Sequence, residues 1–137
     1  MFLNNNKKRN WSIVIYGIGV DIVKIDRIRK AIERQSKHFL HRVFTDLEID
    51  FCYKRSNPYP SLAARFAAKE ALLKSVGKGI LNPLVDIEVR NHDSGKPYIY
   101  LSGKMKQFFF ENKIHTIHLS LSHDKDYAVA MVVVEKD

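Results

Sequence analysis

The stretch RFAAKEALLKSVGKG, residues 65–79, is the part of the sequence with the clearest helical pattern. Its apolar residues form a stripe at helical spacing, which predicts an α-helix over about residues 61–76. Gly77 and Gly79 follow, and glycine readily adopts the left-handed geometry that ends helices. This helix is the element from which the rest of the fold is worked out.

One carboxylate, Glu70, lies where the apolar stripe of this helix meets the lysines. Lys74 follows four residues later, and this order favours a helical salt bridge worth about 0.3–0.5 kcal/mol. The simplest interpretation is therefore that Glu70 is a surface charge paired with Lys74.

Two further helices are predicted upstream. Residues 24–44 place apolar side chains at near-helical spacing and basic side chains on another face, so they predict one amphipathic helix. Seven basic and two acidic residues give this segment a net charge of +5. Thr45 is followed three residues later by Glu48, the spacing of a capping box, which predicts a second, shorter helix. The segment SNPYPS then separates it from the helix over 61–76.

The remaining chain is rich in β-strand patterns. SIVIYGIGVDIV near the N-terminus predicts a first strand, and VDIEV and YIYL predict a hairpin around the turn HDSGKP. After a short helix, KMKQFFFEN, the segments IHLSLSH and YAVAMVVVE predict strands paired across DKD. The order of elements indicates an α+β fold in which an antiparallel sheet packs against helices.

Length and composition favour one intracellular domain. The chain has 137 residues, 45% of them hydrophobic, which suits a single core. Cys52 is the only cysteine and cannot form an internal disulfide, so we expect a reducing, cytoplasmic location. The apolar run near the N-terminus has only 12 residues, too few to span a membrane. Residues 1–13 lack a secretory signal and are expected to be a flexible extension of a domain over 14–137.

The charge favours a polyanionic partner. The 23 Lys and Arg residues exceed the 15 Asp and Glu residues, giving a formal net charge of +8. Nucleic acid, a phosphorylated ligand and an acidic protein all fit this charge. The sequence has no zinc-ligand spacing or RNA-binding motif, and its aromatic residues look like core residues, so nucleic acid is the less favoured partner. A basic nucleic-acid-binding module without catalysis stays open as the alternative.

Asp21 ends the first predicted strand, and Glu70 lies in the middle of the helix over 61–76. Two carboxylates can share a divalent cation, and Mg²⁺ is commonly held by one or two carboxylates plus waters and phosphate oxygens. The spacing of the two residues alone does not identify such a site.

Four motifs in order resemble the small-type 4′-phosphopantetheinyl transferases, and the resemblance covers nearly everything from Tyr16 to Glu135. They are GIGVDI at 17–22, RFAAKEALLKSVGKGI at 65–80, DIEVRNHDSGKPYI at 86–99 and HLSLSHDKDYAVAMVVVE at 118–135. The resemblance implies the fold of that family. It also implies transfer of the 4′-phosphopantetheine group from coenzyme A to a serine of apo-acyl carrier protein, with release of adenosine 3′,5′-bisphosphate, in fatty acid biosynthesis. It further implies a homotrimer whose sites are shared between neighbouring subunits.

The family's two metal-binding acids fall on Asp21 and Glu70, so the resemblance implies a magnesium site there. Larger members of the superfamily often carry a second acid two residues after that aspartate, where this chain has Val23. Lys74 matches a lysine suited to bind a diphosphate oxygen and stabilise the leaving group. The serine proton would go to Glu70 or to a metal-bound water, and the sequence leaves both open.

The resemblance also implies which cations bind the rest of coenzyme A and the carrier protein. The coenzyme candidates are Arg65, Lys69 and His123, with Gly95 and Lys96 as neighbours in a turn. Lys54 and Arg55 are secondary candidates. The carrier candidates lie on the first basic helix, at Arg27 and Arg34. For Arg29, Lys30 and Lys37 on the same segment, docking and plain solvation are equally good interpretations.

Overall fold

The computed structural model describes residues 13–78 and 83–137 of the chain. The predicted N-terminal extension up to residue 12 and the predicted helix-ending glycine Gly79 therefore lie outside the described residues. Among the helices of the described part, none is long and apolar enough to cross a bilayer.

Five helices and five strands make up the described chain, with a 3₁₀ turn at Leu84–Asp86. In chain order they are β1 (Val14–Lys24), α1 (Ile25–Gln35), α2 (Lys37–Val43), α3 (Asp46–Tyr53), α4 (Tyr59–Val76), β2 (Ile87–Asn91), β3 (Pro97–Leu101), α5 (Gly103–Glu111), β4 (Ile114–His123) and β5 (Tyr127–Lys136). The α+β class and the packing of an antiparallel sheet against helices are as predicted.

The single helix predicted over 24–44 is wrong, because the chain breaks it at Ser36 into α1 and α2. Ser36 has φ 50° and ψ −131°, which no helix accommodates, and its N–H donates to the carbonyl of Ile32 to close α1. Val43 and Phe44 nevertheless reach the core. The apolar spacing therefore continues across a break that the pattern does not reveal.

Two predicted helix ends are confirmed, the start of α3 and the end of α4, whereas α4 begins at Tyr59, two residues before the predicted start and inside the segment SNPYPS. Thr45 and Glu48 form a complete capping box at the start of α3. The next helix, α4, begins at Tyr59 with a proline in its first turn, and it ends where Gly77 has φ 69°. Because α4 is buried along most of its length, it is the central element of the core.

The strands form two antiparallel sheets rather than the one sheet expected. One has the order β1-β5-β4, and the other is the separate hairpin of β2 and β3. The strand predicted to begin at Val85 begins at Ile87, because Val85 belongs to the 3₁₀ turn. The predicted pairing of the last two strands is confirmed.

Two glycines allow β1 to lie directly against α4. A Cβ atom at Gly17 would be 1.8 Å from the carbonyl oxygen of Ser75, and one at Gly19 would be 1.9 Å from that of Ala71. Only residues without a side chain permit this distance. Since side chains alternate along a strand, Asp21 shares the face of these glycines and is brought to α4.

On the opposite face of this sheet, β1 and β5 carry exposed apolar side chains. Ile18, Val20 and Ile22 on β1 are 66%, 60% and 64% exposed, and Met131 on β5 is 51% exposed. These residues are paired across β1 and β5, so they share one surface with two half-buried valines. We call this surface the outer sheet face: Ile18, Val20, Ile22, Val129, Met131 and Val133.

Candidate active site

Asp21 and Lys74 join β1 to α4 through an ion pair. Nζ of Lys74 donates to Oδ1 of Asp21 at 2.9 Å and to the carbonyl oxygen of Val20 at 3.1 Å. The Asp21 side chain is 14% exposed and that of Lys74 is 54% exposed. The salt bridge expected between Glu70 and Lys74 is therefore not the one that forms, because Lys74 reaches to the strand instead.

Glu70 completes this cluster without a hydrogen-bond partner among the side-chain contacts of the described residues. Burial raises the pKa of Glu70, the negative charge of Asp21 raises it further, and Lys74 opposes this only in part. A half-buried carboxylate beside another one is stabilised when positive charge arrives. The cluster is thus suited to accept a cation or a proton.

The residues present fit a magnesium ion better than a structural metal. Within residues 13–78 and 83–137, no group of three or more His, Cys, Asp or Glu side chains could hold a metal ion. Structural zinc needs four protein ligands, whereas Mg²⁺ commonly uses one or two carboxylates and keeps waters or phosphate oxygens. Asp21 and Glu70 supply such a pair.

A cavity of about 870 Å³ lies at the other edge of the sheet and collects most of the predicted coenzyme residues. It is bounded by the end of α3, the start of α4, the turn between β2 and β3, and β4. Its lining includes Arg65, Gly95, Lys96 and His123. It also includes Arg55, one of the two secondary candidates from the sequence. We call it the Arg65 cavity.

Arg65 is a buried cation with neutral partners. Its Nη1 donates to Oγ of Ser61 at 3.0 Å, its Nη2 donates to Oδ1 of Asn91 at 2.7 Å, and its guanidinium lies 4.3 Å from the centre of the Phe51 ring. Its Nε has no partner, and only 3% of the residue is exposed. Burial accordingly lowers the pKa of Arg65. Such a group favours an anion in the cavity.

Lys69, predicted to bind the coenzyme, does not face the cavity. It is fully buried, and its Nζ donates to Oε1 of Glu48 at 2.7 Å and to the carbonyl oxygens of Leu84 and Ile87 at 3.0 and 2.6 Å. An ammonium has three protons, and all three are used. We therefore remove Lys69 from the candidate coenzyme residues, since its contacts hold α4 to α3 and β2.

The carboxylate cluster and the Arg65 cavity face different sides of α4. Arg65 and Glu70 are five residues apart, which at 100° per residue places them about 140° apart around the helix. Asp21 is on β1, and the cavity is lined by β4, the opposite edge strand of the sheet. One chain therefore presents the two halves at opposite edges of a three-stranded sheet whose edge strands lie about 10 Å apart.

The basic helix α1 has two kinds of cation. Arg29 and Lys30 both pair with Asp26. Arg27 and Arg34 are exposed, and neither forms an ion pair within the described residues. The two arginines predicted for docking are thus the ones whose charge stays uncompensated.

Sequence reasoning missed two kinds of contributor to these sites, two glycines on β1 and two polar partners of Arg65. Gly17 and Gly19 could have been found, because two glycines at alternate strand positions indicate a close approach on one face. Ser61 and Asn91 carry no local signal, since their partner is the side chain of Arg65.

Comparisons with known proteins agree on one family. Residues 17–132 match the 4′-phosphopantetheinyl transferase superfamily. The holo-[acyl-carrier-protein] synthase of Halothermothrix orenii is 43% identical over 124 residues, which cover 90% of this chain and 99% of that protein. The crystal structure of the Neisseria meningitidis synthase has a TM-score of 0.84 at 35% identity and covers 90% of this chain and 100% of its own. That of the Bacillus anthracis synthase in complex with CoA (3′,5′-ADP) has a TM-score of 0.74 at 38% identity, covering 90% and 98%.

Proposed function

Because the chain belongs to the 4′-phosphopantetheinyl transferase superfamily, we propose that it acts as a holo-[acyl-carrier-protein] synthase in fatty acid biosynthesis. The hydroxyl oxygen of a carrier serine forms a bond to the phosphorus that bears the pantetheine arm. The bond from that phosphorus to the bridging oxygen breaks, and adenosine 3′,5′-bisphosphate leaves. The observation that carries this proposal is the cluster of Asp21, Glu70 and Lys74, which suits a diphosphate.

Asp21 and Glu70 would hold a magnesium ion at the diphosphate. When bound, the ion neutralises charge that builds on the leaving phosphate and orients the phosphorus for in-line attack. The raised pKa of Glu70 supports this assignment, since two neighbouring carboxylates in a half-buried site favour a cation. Glu70 is also a candidate to accept the serine proton, and a water in the site is the other.

Lys74 binds the leaving side of the diphosphate. Two of its three protons are taken by Asp21 and Val20, so one is free for a phosphate oxygen. Its side chain is 54% exposed, and a substrate can therefore reach it. Its positive charge stabilises the negative charge of the leaving group.

The active unit is a homotrimer in which the cluster of one subunit meets the Arg65 cavity of the next. Two features support this. The two halves of the site face different sides of α4 in one chain, which favours contact of one coenzyme with two subunits. The outer sheet face is a contiguous, exposed apolar surface, which is typical of protein interfaces.

The carrier protein docks on α1 through Arg27 and Arg34. Acyl carrier proteins are acidic, and unpaired arginines seven residues apart lie on one side of the helix. Charges at the rim of an interface chiefly raise the rate of encounter.

We expect the reaction to take place in the cytoplasm, where the buried, unpaired thiol of Cys52 stays reduced.

The test is the intact mass of apo-acyl carrier protein after incubation with this enzyme, magnesium and coenzyme A. We expect the mass to rise by one phosphopantetheine group, and a carrier whose serine is replaced by alanine should not change. No mass change, together with steeply salt-dependent binding to DNA or RNA, would instead support the nucleic-acid-binding alternative.

A further inference from the structure

Asn91, the last residue of β2, connects two cationic parts of the Arg65 cavity. Its Oδ1 accepts from Nη2 of Arg65 at 2.7 Å, and its Nδ2 donates to the carbonyl oxygen of Gly95 at 3.0 Å. Gly95 has φ 90° and directly precedes Lys96, so the amide of Asn91 holds the turn that carries this lysine. One side chain thus sets the position of both Arg65 and Lys96.

The guanidinium of Arg65 is oriented without being neutralised. Ser61 and Asn91 are neutral acceptors, Phe51 offers an aromatic face, and no carboxylate pairs with Arg65 in the described part of the chain. A buried cation is costly unless an opposite charge accompanies it. Nε also lacks a partner, so the buried charge of Arg65 favours an anion in the cavity.

The anion that fits is a phosphate monoester. Arg65 offers planar donors and Lys96 a point charge, the combination that proteins use for phosphate groups. In the proposed substrate the diphosphate is assigned to Asp21, Glu70 and Lys74. The remaining phosphate of coenzyme A is the monoester on the 3′ position of its ribose.

We propose that Asn91 is a positioning residue that directs Arg65 and Lys96 at the 3′-phosphate and so makes the enzyme select coenzyme A over 3′-dephospho-coenzyme A. The inference rests on the proposed function, because that function supplies the substrate. An asparagine suits this task better than an aspartate. Its amide oxygen fixes the guanidinium while leaving the charge of Arg65 for the ligand, whereas an aspartate would pair with Arg65 and repel the phosphate.

The experiment compares two substitutions, Asn91→Leu and Asn91→Asp. The first removes both hydrogen bonds at similar volume, and the second keeps an acceptor for Arg65 but adds negative charge. Calorimetric titration of the full chain with adenosine 3′,5′-bisphosphate should show affinity about tenfold lower for either variant, as expected for a lost contact to a charged group. Affinity for adenosine 5′-monophosphate, which lacks the 3′-phosphate, should stay within about twofold.

Kinetics supply a second readout. For either variant, the KM for coenzyme A should rise about tenfold with unchanged kcat, while both constants for 3′-dephospho-coenzyme A should stay near the wild-type values. Ser94→Ala is the matched control. It removes a hydrogen bond from the backbone N–H of Lys96 within the same turn and leaves Arg65 untouched, so it should keep the selectivity.

Equal weakening of both nucleotides by the Asn91 variants would overturn the inference, because a merely structural role predicts that result. A wild-type enzyme that transfers from both coenzymes equally would overturn it too, while leaving the proposed function intact. Absence of transfer from coenzyme A by the wild type would overturn the proposed function and this inference with it. Should Asn91→Leu fail to fold, Asn91→Asp, which has the same shape as the native residue, decides the question.

Discussion

Asp21 on β1 and Glu70 on α4 bring two negative charges close together. Lys74 compensates one of them directly through its ion pair with Asp21. Glu70 has no such partner, and burial and Asp21 keep its pKa raised. The remaining charge is what makes the site a place for a cation.

Replacement of either acid by its amide, Asp21→Asn or Glu70→Gln, keeps the shape of the side chain and removes the negative charge of one proposed magnesium ligand. We expect each change to lower the rate of carrier modification by about a hundredfold or more at saturating coenzyme A. Magnesium should raise the melting temperature of the wild type, because a ligand that binds only the folded state stabilises that state. The melting temperature of either variant should not respond, since the variant lacks one of the two carboxylates. Circular dichroism checks that the variants fold.

Asp50→Asn, on the exposed side of α3, is the matched control and should behave like the wild type in both assays. Wild-type turnover by Asp21→Asn or Glu70→Gln would contradict the metal site. Full turnover after complete chelation by EDTA would contradict it equally.

Among the elements, α4 is held in place by the buried pair of Lys69 and Glu48. The carboxylate of Glu48 also accepts from the backbone N–H groups of Thr45 and Val89. It therefore ties α3, α4 and β2 to one another at a single point inside the core.

Removal of one partner of this pair should act on stability rather than on coenzyme binding. Lys69→Met leaves Glu48 buried without its counter-charge, and we expect a loss of about 3–5 kcal/mol in the free energy of unfolding, measured with urea. The double variant Glu48→Gln with Lys69→Met should be less destabilised than the sum of the two single changes, because the residues are in direct contact. A Lys69→Met protein of normal stability that no longer binds coenzyme A would restore Lys69 as a coenzyme ligand.

Helix α1 should govern recognition of the carrier protein and not of the coenzyme. Reversal of both proposed docking charges, Arg27→Glu with Arg34→Glu, changes the local charge by four units without touching the carboxylate cluster. The KM for acyl carrier protein should rise strongly while that for coenzyme A is nearly unchanged. Added salt should slow the variant less than the wild type, since screening acts over about 8 Å at physiological ionic strength.

The pair Lys104→Glu and Lys106→Glu on α5 makes the same change of charge at another exposed surface and serves as the control. If this control raised the KM for the carrier as much as the α1 variant does, net charge alone would explain the effect. If coenzyme binding fell together with carrier recognition, α1 would not be the docking surface.

The sequence predicted those elements whose signals are local. The capping box of Thr45 and Glu48 and the left-handed Gly77 identify helix ends directly. The break at Ser36 could not be predicted, because no glycine or proline marks it and the apolar spacing runs through it.

The same distinction applies to the candidate site. Arg65, His123 and the turn at Gly95 lie together at one cavity, as the motif resemblance implied. Lys69 and Lys74 could not be told apart in function from the sequence, since both are lysines of one helix. Lys69 is the buried one, because its ammonium contacts Glu48 and the carbonyl oxygens of Leu84 and Ile87 at and before the start of β2.

At the scale of the whole molecule, the fold separates the parts of the site that must act together. The close packing of β1 on α4 places the carboxylates at one edge of the sheet, and β4 lines the Arg65 cavity at the other. Rotational symmetry among three copies would bring the first edge of each subunit to the second edge of its neighbour. Sedimentation should then show a trimer at working concentrations, and a fully active monomer would contradict this arrangement.

The central claim is that the carboxylate cluster of one subunit works with the Arg65 cavity of the next, and mixing two inactive variants tests it most directly. Asp21→Asn lacks the first half and Arg65→Ala lacks the second. Co-refolding them in equal amounts should restore about a quarter of the wild-type activity, the fraction of neighbouring pairs in which both halves are intact after random assembly into closed rings. A mixture no more active than its separate components would contradict the shared site.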